Sequence, residues 1–256
     1  MVRVRELPNK PLVEAICELR WRVDPEKGDP NYSLFVGRLY SQLDKKYKFH
    51  QQLPASMIPE QLAGSIPQHM FRVGKDEWPL IQVGPGLVTL NETEKYTWPD
   101  FNERSKELIN AVFKAYPKPE EMKVTNLFLR YIDAIKIDGI SSNILNFVKD
   151  KLKVELFIPE NLYEGEVVVK RPRSFNFNIT HNTKKPKGII NLKLSSGMQK
   201  GHRAIILELV VLSEGNDVPV LPNYFSSWIK DAHKITDDWF FKLIEGELEH
   251  DYAGDT

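Results

Sequence analysis

The chain has 256 residues, with 35 Lys plus Arg against 35 Asp plus Glu, and 41% of its residues are hydrophobic. These proportions exclude a disordered chain, a collagen-like repeat and a disulfide scaffold, since Cys17 is the only cysteine and a sizeable core can form. No apolar run reaches the ~18 residues of a membrane span, and the first residues lack the apolar stretch of a secretory signal. We therefore expect a cytoplasmic protein.

The first quarter of the sequence predicts a strand, a helix and an irregular connection. Apolar and polar residues alternate over 11–22, which is the pattern of a strand with one buried face. Apolar positions three and four residues apart then predict an amphipathic helix that ends near Lys48. Three prolines and a glycine within 51–67 oppose regular structure, so this segment is predicted to be irregular.

Three short strands and a helix complete the first half. The strands are predicted at about 68–74, 79–83 and 87–91, and the last two flank a tight turn at Gly84, Pro85 and Gly86. Pro99 suits the first turn of the following helix, because it has no amide hydrogen to leave unpaired there. Pro117 ends that helix.

From residue 124 the same order of elements begins again. A strand is predicted at 124–137, a short helix at 142–152, and three strands at about 164–181, 188–196 and 203–213. The last helix has the strongest periodicity in the chain, with apolar residues in steps of three and four from Tyr224 to Leu243.

Both halves thus read as strand, helix, three strands, helix, which predicts an α+β fold built from two pseudo-repeats. We expect one curved antiparallel sheet with helices packed on it, by analogy with helix-grip folds and the saddle of the TATA-binding protein. The pseudo-repeats are predicted at 1–120 and 121–246, followed by a frayed acidic tail at 247–256. The analogy concerns the fold and carries no function.

Several segments together resemble a known family. They are PLVEAICELRW at 11–21, the hairpin from Ile81 to Asn91 followed by Trp98, Pro99 and Phe101, LRYID at 129–133, and LELVVL at 207–212 before the aromatic helix. The chain is similar over nearly its whole length to a sporadically distributed family of prokaryotic proteins that has no assigned activity. The resemblance implies a mobile or defence-linked gene and supplies no catalytic residues.

Charge is segregated along this neutral chain. No Asp or Glu occurs between Val167 and Leu207, whereas seven acidic residues and one lysine follow between Asp237 and Thr256. Cationic side chains and strand asparagines suit an anionic partner, because they neutralise charge and offer paired hydrogen-bonding groups. The candidate binding residues are Lys170, Arg171, Arg173, Lys184, Lys185, Lys187, Lys193 and Arg203. A solvated outer face of an antiparallel sheet shows the same pattern and is the alternative.

A second candidate site centres on Glu208, which interrupts an otherwise apolar strand. A buried carboxylate must find a partner or take up a proton, and Arg130 is the candidate partner. An enzyme could place this pair in a cavity between sheet and helices, together with His181 or His202. Structural pairing of Glu208 and Arg130 is the alternative.

Familiar cofactor and metal motifs are missing from the sequence. It contains no P-loop, dinucleotide fingerprint or nucleophile elbow, and its six histidines lack the short spacings of zinc ligands, so no cofactor or metal is predicted. His233 lies one helical turn before Asp237, a spacing that raises the pKa of a histidine, and a surface pair is the favoured interpretation.

The sequence therefore predicts a non-enzymatic binding protein that uses a basic, Asn-rich sheet edge. We expect its partner to be a protein or a nucleic acid and expect no contact with a membrane. Association into a homo-oligomer is a further option that the sequence leaves open. An enzyme with a cavity around Glu208 and Arg130, or a structural subunit of a complex, are the alternatives.

Overall fold

The described residues form one open antiparallel sheet with helices on a single face. The computed structural model describes residues 7–24, 26–58, 66–93, 95–137, 143–165 and 167–254. The strands are β1 (Leu12–Trp21), β2 (Phe49–Gln52), β3 (His69–Arg72), β4 (Leu80–Gly84), β5 (Leu87–Glu92), β6 (Val124–Lys136), β7 (Asn176–Lys184), β8 (Lys187–Gln199) and β9 (His202–Glu214). Their order is β2-β3-β4-β5-β1-β6-β9-β8-β7, so β1 and β6 are central and β2 and β7 are edges.

Five α-helices lie within the described ranges. They are α1 (Tyr32–Leu43), α2 (Trp98–Ala115), α3 (Ile144–Leu152), α4 (Phe225–Ile244) and α5 (Glu247–Ala253). Each contributes to at least one of two core clusters. Those clusters take residues of one parity from the central strands, such as Cys17 and Leu19 of β1 and Leu127 and Leu129 of β6. Residues of one parity share a sheet face, so all five helices cover the same face.

Helix α4 joins the two core clusters. Its first half places Trp228 and Ile229 in the cluster that holds α1 and α2, and its second half places Phe241 and Ile244 in the cluster that holds α3. The apolar residues repeat every three to four positions over 20 residues, which keeps one stripe against the sheet along the whole helix. The site described below lies where α4 crosses the sheet.

Local sequence explains where the other elements begin and end. The Asn143 side chain accepts a hydrogen bond of 3.0 Å from the Leu145 amide at the start of α3, as a preferred N-cap residue does. At the β4–β5 turn, Gly86 has φ +70°, and a Cβ there would lie 2.7 Å from the Trp21 carbonyl oxygen. Only glycine fits that position without strain.

The α+β fold and its antiparallel sheet are confirmed, and several boundaries differ from expectation. Helix α1 ends at Leu43 rather than near Lys48, and the Lys46 and Tyr47 amides close a final turn on the Leu43 carbonyl oxygen. Within 51–67, the strand β2 extends to Gln52, and residues 59–65 lie outside the described ranges.

Strand β7 begins at Asn176, not near residue 164, and continues to Lys184. Pro172 cannot donate a hydrogen bond to a neighbouring strand, which opposes pairing just before that point. The late end follows from the β7–β8 turn, where Lys184 is paired with Lys187.

The acidic tail predicted at 247–256 contains the short helix α5 rather than frayed chain. Leu248 is buried in the second core cluster, and Glu247 pairs with Lys151 of α3. Burial of one apolar side chain and an ion pair to a neighbouring helix hold this segment against the domain.

Candidate functional site

The predicted cations do not form one ribbon. Lys184, Lys185 and Lys187 lie at the β7–β8 turn, whereas Lys170, Arg171 and Arg173 precede the other end of β7. The nine residues of β7 separate the two groups by roughly 26 Å at the usual rise per residue. An anionic partner could therefore contact both groups of cations only if it were long enough to span β7.

Several of these cations already have acidic neighbours. Lys170 pairs with Glu160, and the Lys185 ammonium lies 3.7 Å from the Asp231 carboxylate of α4. Lys193 is directly opposite Glu208 in the β8–β9 register, and Arg203 is opposite Met198 at the far end of the same pair. The group is thus distributed over both faces and both ends of the outer strands.

The cavity predicted around Glu208 and Arg130 does not lie there. Glu208 is opposite Ile132, and Arg130 is opposite Val210, so both project from the face that the helices leave uncovered. They occupy diagonal positions on that face, and no ion pair joins them among the described residues. His181 projects to the helix side, with its ring centroid 5.8 Å from that of Trp239, and His202 is exposed at the start of β9. The four residues do not meet.

The structure instead has a cavity of about 120 Å³ on the helix side, where α4 packs over β6 and β9 beside the start of β1. Its walls are mainly apolar and aromatic, with a small number of polar groups, which is the usual composition of a ligand site. The lining residues are Leu7, Lys10, Leu12, Tyr96, Thr97, Trp98, Tyr131, Asp133, Leu209, His233, Thr236, Asp237, Phe240 and Phe241.

Asp133 is the unusual group in this cavity. It lies on β6 opposite Leu12 and Leu207, next to an irregularity in the β1–β6 register, and its side chain is buried. Within the described ranges, no side chain donates a hydrogen bond to its carboxyl group. Burial alone raises the pKa of Asp133 to about 7, because the charged form loses its hydration.

A chain of hydrogen bonds crosses the cavity wall beside Asp133. The Tyr96 and Tyr131 hydroxyl oxygens are 2.9 Å apart, and the Tyr131 oxygen is 3.0 Å from Nδ1 of His233. The His233 ring stacks on Trp98 with 3.6 Å between centroids. Burial lowers the pKa of His233 to about 4, so its imidazole is neutral above pH 5, and the ring is partly buried against Trp98 rather than in the surface pair favoured from the sequence.

Two charged groups complete the lining. The Lys10 ammonium donates a hydrogen bond to the Tyr96 carbonyl oxygen and lies 5.7 Å from the centre of the Tyr96 ring. Asp237 follows His233 by one turn of α4 and reaches the same cavity. The site therefore combines a neutral imidazole, two phenols, one occupied ammonium and two carboxyl groups.

Sequence reasoning missed Asp133 although a signal was present. The apolar set of β6 has odd numbers, Leu127, Leu129, Tyr131 and Ile135, and Asp133 occupies the same parity. A carboxylate inside a core-facing register is more informative than Glu208, which has the outward parity of β9. Tyr96, Trp98 and His233 could not be joined to it, because their proximity depends on how α4 crosses the sheet.

Comparison with family models and curated proteins identifies no relative of this chain. No family model matches the chain, and no curated protein matches it. Among the described residues, no three His, Cys, Asp or Glu side chains are placed to hold a metal ion. In the same ranges, no helix has the length and apolar character needed to cross a membrane.

Proposed function

We propose that the protein binds a small molecule in the cavity between α4 and the central strands. The observation that carries this proposal is Asp133, a buried carboxyl group that faces the cavity without a described hydrogen-bond donor. Burying such a group costs free energy unless something pairs with it. A ligand that supplies the missing contact would recover part of that cost.

Binding fits the lining better than turnover does. The Thr236 hydroxyl donates to carbonyl groups of its own helix, and His233 Nδ1 is engaged by Tyr131. Cys17 is buried outside the lining, and burial raises the pKa of its thiol to about 12. The described lining thus offers recognition groups but no activated nucleophile.

A fragment screen on the full chain tests this proposal. Thermal shift and native mass spectrometry would be run with cationic, neutral and anionic fragments of up to about six heavy atoms, a size suited to the cavity. In the variant Leu12→Trp, the indole fills the cavity and should abolish binding. Leu34→Trp places the same side chain on the exposed surface of α1 and is the matched control.

Two results would reject cavity binding. Either no fragment of any charge shifts the unfolding temperature, or the bound fragments bind Leu12→Trp as well as the parent protein. Retained binding in Leu34→Trp together with loss in Leu12→Trp locates the ligand.

A second function, partner binding through the outer edge, is favoured by exposed apolar residues between α3 and β7. Phe157, Val167 and Val169 are 88%, 89% and 80% exposed, beside the cations Lys170 and Arg171. Exposed apolar groups of this kind mark interaction surfaces more often than nucleic-acid contacts. We propose a protein partner with acidic and apolar character at this edge, in place of the single basic ribbon.

Salt dependence separates the two kinds of partner. Nucleic-acid binding by this edge would give a log-log slope of about one per phosphate contact, and Lys170→Gln with Arg171→Gln would flatten it. Protein binding would instead be lost in Phe157→Ser with Val167→Ser. Leu34→Ser removes an equally apolar surface residue elsewhere and serves as the control.

We also propose that the sheet arose by internal duplication within the family that the sequence resembles. From the centre outward, the strands run β1-β5-β4-β3 on one side and β6-β9-β8-β7 on the other. Each half thus has its first strand in the centre and its later strands in the same reversed order, which supports this proposal. Strand β2 is an addition at one edge without a counterpart. We propose as well that the sheet is saddle-shaped, like that of the TATA-binding protein. The protein is then expected in the cytoplasm, with a defence-linked role.

A further inference from the structure

The chemistry of the ligand follows from the surroundings of Asp133, given that the cavity binds a small molecule as proposed above. Asp133 is 4% exposed and lies between Leu12 of β1 and Leu207 of β9. Such a carboxylate is poorly solvated, so a positive charge beside it gains more than it would in water.

The other charged and titratable groups leave this position open to a cation. Lys10 approaches from the segment before β1, but its ammonium is engaged by the Tyr96 carbonyl oxygen. Tyr96 and Tyr131 face the cavity from the segment before α2 and from β6, and His233 and Asp237 face it from α4. The imidazole is uncharged near neutral pH, and Asp237 has the same sign as Asp133. No positive group of the described lining pairs with Asp133.

Aromatic rings provide the second part of a cation site. Tyr96, Trp98, Tyr131, Phe240 and Phe241 all line the cavity. The faces of aromatic rings attract cations, and this attraction is larger where water is excluded. Rings around a carboxylate are the combination used to recognise ammonium groups.

We propose that the cavity binds a small organic cation, a primary ammonium or guanidinium, whose charged end pairs with Asp133 and whose carbon atoms lie against Phe240 and Phe241. The volume of about 120 Å³ limits its size. A cavity of roughly 150 Å³ in another protein accommodates benzene, so a ligand of about five or six heavy atoms fits here.

Binding of a cation must be coupled to release of a proton. Asp133 is half protonated near pH 7 in the free protein, and the cation binds the ionised form. Affinity should therefore fall as the pH decreases through 7 and level off above it, with binding about tenfold weaker at pH 6 than at pH 8. A neutral ligand that used the protonated carboxyl group would show the opposite dependence or none.

Three probes of similar size and different charge test the inference by calorimetry on the full chain. They are n-butylamine, which is a cation at both pH values, 1-butanol and butyrate. We expect measurable binding of n-butylamine alone at pH 8, tenfold weaker binding at pH 6, and release of about half a proton per ligand at pH 7. Asp133→Asn should lose this binding, whereas Glu208→Gln, the matched change on the uncovered face, should keep it.

The failures of the two proposals are distinguishable. If 1-butanol or butyrate binds as tightly as n-butylamine, and Leu12→Trp abolishes that binding, the cavity is a ligand site but not a cation site. If Asp133→Asn keeps n-butylamine affinity, the inference is also wrong. If Asp133→Asn does not fold, the pH dependence and proton release of the parent protein decide the question. If none of the three probes binds while fragments of the screen bind the parent protein and not Leu12→Trp, the inference alone fails; if no fragment binds either, both proposals fail.

Discussion

Asp133 and Glu208 are carboxylates in neighbouring strands of one sheet, and their surroundings are opposite. Asp133 is opposite Leu207 and Glu208 is opposite Ile132, so the two acids project from different faces. Asp133 is buried under α4 among apolar and aromatic groups, whereas Glu208 is half-buried, on the uncovered face, and opposite Lys193. The parity of a residue within its strand decides its electrostatic role more than the apolar character of its sequence neighbours does.

The largest expected effect is the pH dependence of stability caused by Asp133. The unfolded chain loses this proton near pH 3.8, the ordinary pKa of an aspartate, whereas the folded protein keeps it until about pH 7. The free energy of unfolding therefore falls as pH rises between these values, by about 4 kcal/mol in all. Asp133→Asn should remove this fall, and Glu208→Gln should not.

Urea unfolding at half-unit steps from pH 4 to pH 8 measures this difference. The relevant quantity is the change with pH of the variant minus the parent, because other groups titrate in the same range. Parallel curves for Asp133→Asn and the parent would show that the carboxyl group is solvated or paired, and would remove the contrast with Glu208.

His233 should produce a somewhat smaller effect of opposite sign in the same cavity. The unfolded chain binds a proton at this residue below about pH 6.5, whereas the folded protein resists protonation until about pH 4. The free energy of unfolding therefore falls as the pH decreases through this window, by roughly 3 kcal/mol. Since Asp133 acts in the other direction, the two contributions largely cancel between pH 4.5 and 6.5 in the parent protein.

Variants separate these opposing contributions. Asp133→Asn should expose the loss of stability in acid, and His233→Asn should expose the loss of stability toward neutral pH. In the double variant, the free energy of unfolding should again depend little on pH. Identical pH profiles for the two single variants would contradict the assignment of opposite signs.

Tyr131 should contribute through its place in the middle of the hydrogen-bond chain. Tyr131→Phe breaks contacts with both Tyr96 and His233, whereas Tyr96→Phe breaks only the contact between the two hydroxyl groups. Each polar group left unpaired in a buried position costs about 1–3 kcal/mol. We expect Tyr131→Phe to lower the free energy of unfolding more than Tyr96→Phe, and an equal or reversed order in urea titrations would contradict the chain.

Much of the fold could be predicted because its signals are local. The alternation of apolar and polar residues predicts β1 and β6. Apolar residues three and four positions apart predict α2 and α4, whose apolar stripes are buried against the sheet. The end of α1 and the start of β7 were misplaced, because they depend on backbone turns and on pairing with β8.

The candidate site was less predictable because it is assembled from distant segments. Asp133 could have been found from its parity, but its contact with α4 requires the crossing of a helix from another part of the chain. The basic residues were conspicuous in sequence, yet the strand geometry separated them. Composition along a chain therefore locates charge well and locates sites poorly.

The smallest expected effect concerns the other half of the comparison, the pair formed by Glu208 and Lys193. Opposite charges that face each other across an antiparallel pair attract, but both side chains are partly solvated, so water and salt screen the attraction. A double-mutant cycle of Glu208→Gln and Lys193→Gln should give a coupling of about 0.2–1 kcal/mol that shrinks in 1 M salt. A coupling several times larger that is insensitive to salt would mean that the uncovered face is shielded from water around Glu208. The two carboxylates would then differ in their partners rather than in their burial.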